Sequence, residues 1–255
     1  MPVICETKEV ALPPFPAVAD AVLSAVADPE SDISQVCELV QRDPALATLI
    51  IKAANSAMYR GSVPPTTLSH AVTRLGLASV SDLTVAACLR PSLSDPETAP
   101  QRARSWSTAL AAAGFARCLS RLRRRQVEVS FLCGLLHNIG ELVLLEAGMT
   151  EPDFIQRRYI EIGVQSVMEW GMPAPIVAAV GLHRDWPTAE TYGDVAASTW
   201  LARRLGCEML DYDDPDAPMP LDEDPVLERV NVYPEDLVRL REQSSEVMSM
   251  IQVLR

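Results

Sequence analysis

The chain has 255 residues, enough to bury a sizeable core in one large or two small domains. It is 48% hydrophobic and 22% charged, as an ordinary globular protein is, but only 5% aromatic, so the core must come from Leu, Val, Ile, Ala and Met. With 34 acidic against 22 basic side chains the net charge is −12, which repels polyanions and argues against a general nucleic-acid binder.

Strand signals are nearly absent, with no long alternating run and no Asn-Gly or Asp-Gly hairpin turn. Pro13, Pro14 and Pro16 set an extended lead-in, after which Ala17 to Ala27 reads as a first helix stopped by Asp28 and Pro29. Ser31 or Asp32 can cap the next, which carries Ile33, Val36, Cys37, Leu39 and Val40 at a 3.6-residue period. Asp43-Pro44 restarts the helical pattern: the carboxylate accepts from free N–H groups and proline suits the first helical position. Leu46, Leu49, Ile50 and Ala53 then share one face, with Asn55 and Ser56 near the helix end. Gly61, Pro64 and Pro65 make a loop, Thr67 can cap Leu68 to Leu75, and Gly76 ends that helix. Ser79 to Leu89 reads as another.

The polar, Pro-containing run from Pro91 to Pro100 is the best boundary between two helical lobes. The expected division is 1–95 for an N-terminal lobe and 96–255 for the rest. A long helix is predicted from about Gln101 to Leu122, ending in Arg121, Arg123, Arg124 and Arg125, which complement the helix dipole. Val129 to Ala147 reads as one helix. Shorter helices are expected over Phe154 to Tyr159, Val164 to Trp170 and Pro175 to His183, and a longer one from Val195 to Leu205. Asp211 to Pro225 carries seven carboxylates and several prolines, and is expected to be a solvated loop or a disordered insert. Pro234 to Leu254 reads as a closing amphipathic helix.

The N-terminus lacks the basic and apolar regions of a signal peptide. The most apolar stretch, Phe131 to Leu145, is broken by His137, Asn138 and Glu141, so no membrane span and a cytoplasmic location are expected. No two of Cys5, Cys37, Cys88, Cys118, Cys133 and Cys207 have the spacing of a zinc knuckle, and structural thiols are expected.

There are three histidines, His70, His137 and His183. Gly134-Leu135-Leu136-His137-Asn138-Ile139-Gly140-Glu141 resembles the Gly-Leu-Leu-His-Asp-Ile-Gly-Lys core of the HD phosphohydrolase superfamily. Leu12-Pro13-Pro14-Phe15-Pro16, Arg42-Asp43-Pro44-Ala45-Leu46, Ala53-Ala54-Asn55-Ser56-Ala57-Met58-Tyr59 and Ala71-Val72-Thr73-Arg74-Leu75-Gly76 resemble the HDOD branch of that superfamily, in order, over about residues 11–206. The resemblance implies an all-α, HD-like helical bundle with an N-terminal helical lobe, and a bacterial signal-transduction module acting through protein partners.

The same resemblance places the metal ligands of catalytic HD enzymes on this chain, and most are missing. The earlier His falls near Trp106-Ser107-Thr108, the His-Asp pair is His137-Asn138, the later Asp falls near Ser198-Thr199, and the later paired His is His183 followed by Arg184. Glu141 stands where a Lys follows the motif, and Trp170-Gly171-Met172-Pro173 where a Gly-Tyr-Pro element names the phosphodiesterases. An amide brings only a dipole where a carboxylate brings a charge, and Arg184 disfavours a cation. His137, Asn138, Glu141, His183, Arg184, Thr108 and Thr199 are therefore expected to form a degenerate site with no metal, no cofactor and no catalysis. Asn55, Ser56, Met58, Tyr59 and Arg60 are the candidate partner surface; the alternative is that Asn55 and Ser56 merely cap a helix while Met58 and Tyr59 pack. Two alternatives stay open: a metal-dependent phosphodiesterase, and a cyclic-dinucleotide or nucleotide sensor without hydrolysis.

Overall fold

The computed structural model describes residues 3–5, 8–59, 61, 63–214 and 216–255, with side chains from Val10 onward. Its elements are almost all helices. Two three-residue strands, β1 (Val3–Cys5) and β2 (Lys8–Val10), pair antiparallel with Val3 opposite Val10. This short antiparallel pair is the one place among the described residues where strands form, and the fold is otherwise helical.

Backbone contacts divide the chain into two compact units, Phe15–Arg90 with Ser245–Arg255, and Met1–Pro14 with Pro91–Ser244. This differs from a division at residue 95. Each unit takes in a segment from the far end of the sequence, which no linker composition can announce.

In the first unit, α1 (Ala17–Ala27), α2 (Ile33–Gln41), α3 (Pro44–Ala54), α4 (Leu68–Leu75) and α5 (Leu77–Cys88) enclose Val22, Val36, Val40, Ile50, Val72 and Leu83. The starts follow local chemistry. Asp32 and Gln35 form a reciprocal capping box, Asp43 accepts from the Ala45 and Leu46 amides, and Thr67 accepts from His70. Gly76, at φ +77°, turns α4 into α5.

In the second unit, the 25-residue α6 (Ala99–Arg123) is packed by α7 (Ser130–Leu136), α8 (Ile139–Glu146) and α11 (Gly193–Met209), with α9 (Pro152–Glu169) and α10 (Ala174–Leu182) completing the group. Small residues set the spacing. A Cβ on Gly134 would lie 2.5 Å from the Ala112 carbonyl oxygen, and one on Gly206 would lie 3.0 Å from the Ala111 Cβ. The alanine stretch of α6 is thus gripped by a glycine of α7 and a glycine of α11. Short α12 (Val226–Arg229), α13 (Pro234–Glu242) and α14 (Ser244–Leu254) end the chain. No single described helix is long and apolar enough to cross a membrane.

Four expectations are corrected. The predicted 129–147 helix is two helices, broken at His137 and Asn138. Leu135, Leu136, Ile139 and Leu142 are buried on both sides of the break, so apolar periodicity passes through it unmarked. The helices expected at 154–159 and 164–170 are one, because Gly163 stays helical where α9 meets Gly140 of α8. The closing helix is interrupted at Gln243, and α14 belongs with the first unit, where its Ser249 hydroxyl accepts from the Ala57 amide. Finally, the acidic segment is only partly solvated: Asp211, Asp213, Asp222 and Glu223 are exposed, but the side chains of Asp214, Asp216 and Asp224 are enclosed against α11, because Arg203 and Arg204 of that helix need carboxylate partners.

Candidate functional site

The break between α7 and α8 presents two adjacent polar side chains to the core of the second unit. His137 ends α7, and its Nδ1–H donates to the Gly134 carbonyl at 2.7 Å. That bond fixes the tautomer and leaves Nε2 as a bare acceptor, buried and without a partner among the described residues. Asn138 opens α8 without capping it. Its Nδ2 reaches α6 instead, donating to the Ser105 carbonyl and hydroxyl at 3.0 Å each. Its Oδ1 is left buried and without a partner among the described residues.

His183, at the end of α10, meets His137 edge to face with ring centroids 5.3 Å apart. Its Nδ1–H donates to the carbonyls of Ala179 and Val180, and its Nε2 accepts from the Tyr159 hydroxyl at 3.3 Å. Both imidazoles are fully enclosed. Burial, reinforced by Arg203, lowers the His137 pKa to about 3, and burial, with His137 and Arg203 nearby, holds His183 well below the ordinary value. Burial also pushes the Glu141 carboxyl up, against the pull of Ser105 and Arg203, and raises the Tyr159 hydroxyl to about 12.

These side chains border a cavity of about 290 Å³ within the second unit. His137, Asn138, Glu141 and Thr108 line it, as the sequence grouped them. Thr199 does not. It is buried in α11, its hydroxyl donating to Val195, and it is Arg203, one turn further on, that reaches the cavity. Trp106 and Ser107 are buried in α6, and His70 is exposed on α4 of the first unit. His183 stands behind Tyr159, which itself faces the cavity.

Arg184 does not approach the cavity as a free charge. It pairs with Asp216 at 2.5 Å and lies over the Tyr159 ring. Asp216 also accepts from Gln156 at 2.6 Å and faces Arg203 Nη2 at 2.7 Å, while the same nitrogen donates to Asp214 at 2.7 Å. Arg104 of α6 donates to the Asp213 carbonyl and lies over Tyr212. The strap 212–214 therefore forms one wall of the cavity. Sequence reasoning missed Arg203, Tyr159 and this strap. A signal was available: Arg203 and Arg204 interrupt the apolar run of α11, and buried guanidinium groups demand acids.

The candidate partner surface is only partly exposed. Asn55 donates to the carbonyls of Ile51 and Pro65, and Ser56 is buried and donates to Ala53. Met58 and Tyr59 are half-buried, and Arg60 lies outside the described residues. The arginines ending α6 are also engaged: Arg117 is buried over the Phe131 ring, and Arg123 donates to Ser198 and Asp194 at 2.7 Å each. The cysteines whose side chains are described are free thiols. Among the described residues no group of three or more His, Cys, Asp or Glu side chains is arranged to hold a metal ion.

Known proteins place this architecture. The fold matches a candidate metal-dependent phosphohydrolase of Shewanella amazonensis SB2B, with TM-score 0.75, 24% identity, and 96% of this chain and 93% of that one covered. It also matches a candidate signal transduction protein of Marinobacter aquaeolei VT8 (TM-score 0.70, 21% identity, 95% and 60% covered) and an HDOD domain protein of Geobacter sulfurreducens (TM-score 0.70, 18% identity, 96% and 92% covered). At these identities the likeness is one of fold. A Treponema pallidum (strain Nichols) protein of unnamed function is 26% identical over 225 residues, 80% of this chain, and the match spans 44% of that relative's length. The HDOD domain family model matches residues 12–169, more than half of the sequence, and the chain belongs to that family.

Proposed function

We propose that this HDOD protein is a signal-transduction module that catalyses no hydrolysis and acts by binding protein partners, with the HD-derived cavity kept for a purpose other than metal chemistry. The observation that carries this reading is the orientation of Asn138. Its Nδ2 donates to a backbone carbonyl of α6, a bond no carboxylate can make. An aspartate there would set a negative oxygen against the Ser105 carbonyl, so the site is built around an amide. The remaining donors do not fit a pair of divalent ions. Only two imidazoles are present, His183 Nε2 is occupied by Tyr159, and the Arg203 guanidinium stands close enough to depress both histidines. Such ions need about six donors each, or four for zinc, with negative charge among them. Neighbours named as candidate phosphohydrolases and a candidate signal transduction protein fit a scaffold that hosts both roles.

Met58 and Tyr59 are the residues we assign to partner contact, being the part of their stretch that is not turned wholly into helix capping. The test has two arms. Elemental analysis of the freshly purified protein, with turnover assays on cyclic di-GMP and on a generic phosphomonoester, is expected to show neither stoichiometric metal nor hydrolysis. Bound iron, manganese or zinc with turnover that vanishes in His137→Ala would overturn the reading. Partner capture unchanged by Met58→Ala and Tyr59→Ala in a folded protein would remove the surface assignment.

A further inference from the structure

Four buried acceptor atoms and one buried donor, all on residues that line the cavity, have no protein partner among the described residues. They are His137 Nε2, Asn138 Oδ1, Gln101 Oε1, Asp214 Oδ2 and Arg203 Nη1. They come from α6, the α7–α8 break, α11 and the 212–214 strap. Leaving even one buried polar atom unpaired is costly, and folded proteins carry few. Five around one cavity describe a ligand by its complement.

The complement is specific. His137 cannot turn its acceptor into a donor, since Nδ1 already holds the proton and burial opposes a second one. The Asn138 amide cannot flip without losing the Ser105 carbonyl. The ligand must therefore bring several donors and at least one acceptor, the latter for Arg203. Charge narrows it further. An anion would lie against Asp214 and the bare acceptors. A cation would meet the Arg203 guanidinium. The charges around the cavity are already matched, Arg203 and Arg184 by Asp214 and Asp216, and Arg104 by the nearby Glu141 and Asp213, so the added group should be neutral. A volume of about 290 Å³ lies at the small end of ligand cavities. Tyr159 and Tyr212 supply flat apolar walls.

We infer that the cavity binds an uncharged small molecule bearing several hydroxyl or amino donors, of polyol, sugar or nucleoside size. This rests on the non-hydrolytic reading above and names the ligand class of that same site. The family match ends at residue 169, so Arg203 and the strap that complete the site lie outside it.

The experiment is calorimetric titration and thermal shift of the full chain in EDTA. Neutral probes are myo-inositol, D-ribose, adenosine and guanosine. Charged counterparts are myo-inositol 1-phosphate, ribose 5-phosphate, AMP, GMP, inorganic phosphate and spermidine. Permethylated inositol keeps the acceptors and removes the donors. A saturable rise in melting temperature is expected with a neutral probe, at least about tenfold weaker with its phosphate and absent with the methylated form. The sugar and nucleoside arms distinguish the two sources of the same chemistry. Gln101→Leu, on a partly exposed position of α6, should fold normally and weaken binding about tenfold through one lost hydrogen bond. Binding confined to anions or to spermidine, or no binding by any probe, overturns the inference. Neutral-probe binding that appears only when a divalent metal replaces EDTA overturns the non-hydrolytic reading instead.

Discussion

The imidazoles of His137 and His183 stand at 90° to one another, 5.3 Å between centroids, each with its Nδ1 proton held by a carbonyl of its own helix. Two neutral histidines in contact, beside Arg203, make this pair sensitive to acid. In the unfolded chain they titrate near the ordinary value of about 6.5. In the folded chain His137 is lowered to about 3, and His183 well below its usual range, by burial first and by neighbouring positive charge second.

The sign follows from proton counting. Between about pH 3 and 6.5 the unfolded state binds protons that the native state refuses, so stability falls as pH drops through 6.5. Each histidine contributes a slope of about 1.4 kcal/mol per pH unit once the pH is well below that value. Glu141 and Asp82 work the other way: burial raises both carboxyls, so each loses stability as pH rises above its unfolded range and offsets one histidine at most. The histidine contribution is therefore read as a difference. Urea unfolding of wild type and His137→Gln at pH 7.5, 6.0, 5.5 and 5.0 should give parallel profiles above 7 and diverging ones below 6.5, the wild type losing about 1.4 kcal/mol more per pH unit. Profiles that stay parallel down to pH 5.0 would refute it.

Placing at position 138 the aspartate of the HD motif that residues 134–141 resemble should harm this protein. Asn138→Asp removes the donor to the Ser105 carbonyl and sets a carboxylate against it inside a cavity border that is 4% exposed. An uncompensated buried polar clash of this kind costs about 1–3 kcal/mol, and more when charged. The expected outcome is a lower urea midpoint with no gain in metal content by elemental analysis. A variant that is equally stable and takes up manganese or iron would show that the amide is incidental.

Gly140 lies where α8 crosses α9, and a Cβ there would sit 1.9 Å from the Tyr159 carbonyl oxygen and 2.5 Å from the Gly163 nitrogen. Backbone cannot yield as a side chain does, so Gly140→Ala should cost more than about 3 kcal/mol, above the usual range for overpacking. Gly181→Ala is the control: its Cβ would touch only Val164 Cγ2, at 3.1 Å. Similar unfolding midpoints for the two variants would contradict this account of the helix crossing.

Much of this site can be read in the sequence because its signals are local. The Gly134–Glu141 run places an imidazole and an amide side by side, and Asp43-Pro44, Thr67 and Gly76 bound helices through neighbours one to three residues away. What escapes is pairing across distance. Asp214 and Asp216 read as solvated because seven carboxylates among prolines have the composition of a loop. Their burial depends on Arg203 and Arg184, more than ten residues away along the chain. The motif resemblance points to Thr199 on α11, yet helical geometry turns Arg203 rather than Thr199 to the cavity. The break at His137 is hidden because it is made by side-chain bonds to Gly134 and Ser105, and not by a proline or a glycine.

The pair Arg204 and Asp224 fastens the far end of the acidic segment to α11. Both side chains are almost wholly enclosed, 7% and 2% exposed. Asp224 also accepts from the Trp200 indole N–H at 3.0 Å and from the Val226 amide at 2.9 Å, while Arg204 donates to the Met219 carbonyl at 2.6 Å. Removing one member strands a buried charge, which typically costs about 3–5 kcal/mol, whereas replacing both by apolar groups is often close to neutral. Asp224→Ala should therefore lower unfolding stability by about that amount. Arg204→Met combined with Asp224→Leu should recover much of it, short of the loss from the unpaired Trp200 indole. High salt should leave the wild-type value nearly unchanged, because a pair this enclosed is poorly screened. If the single variant were neutral, the segment would be packed by its apolar residues, Leu221 and Val226, and the ion pair would be a passenger. If the double variant were as unstable as the single, the carboxylate would matter for its bonds to Trp200 and Val226 and not for its charge.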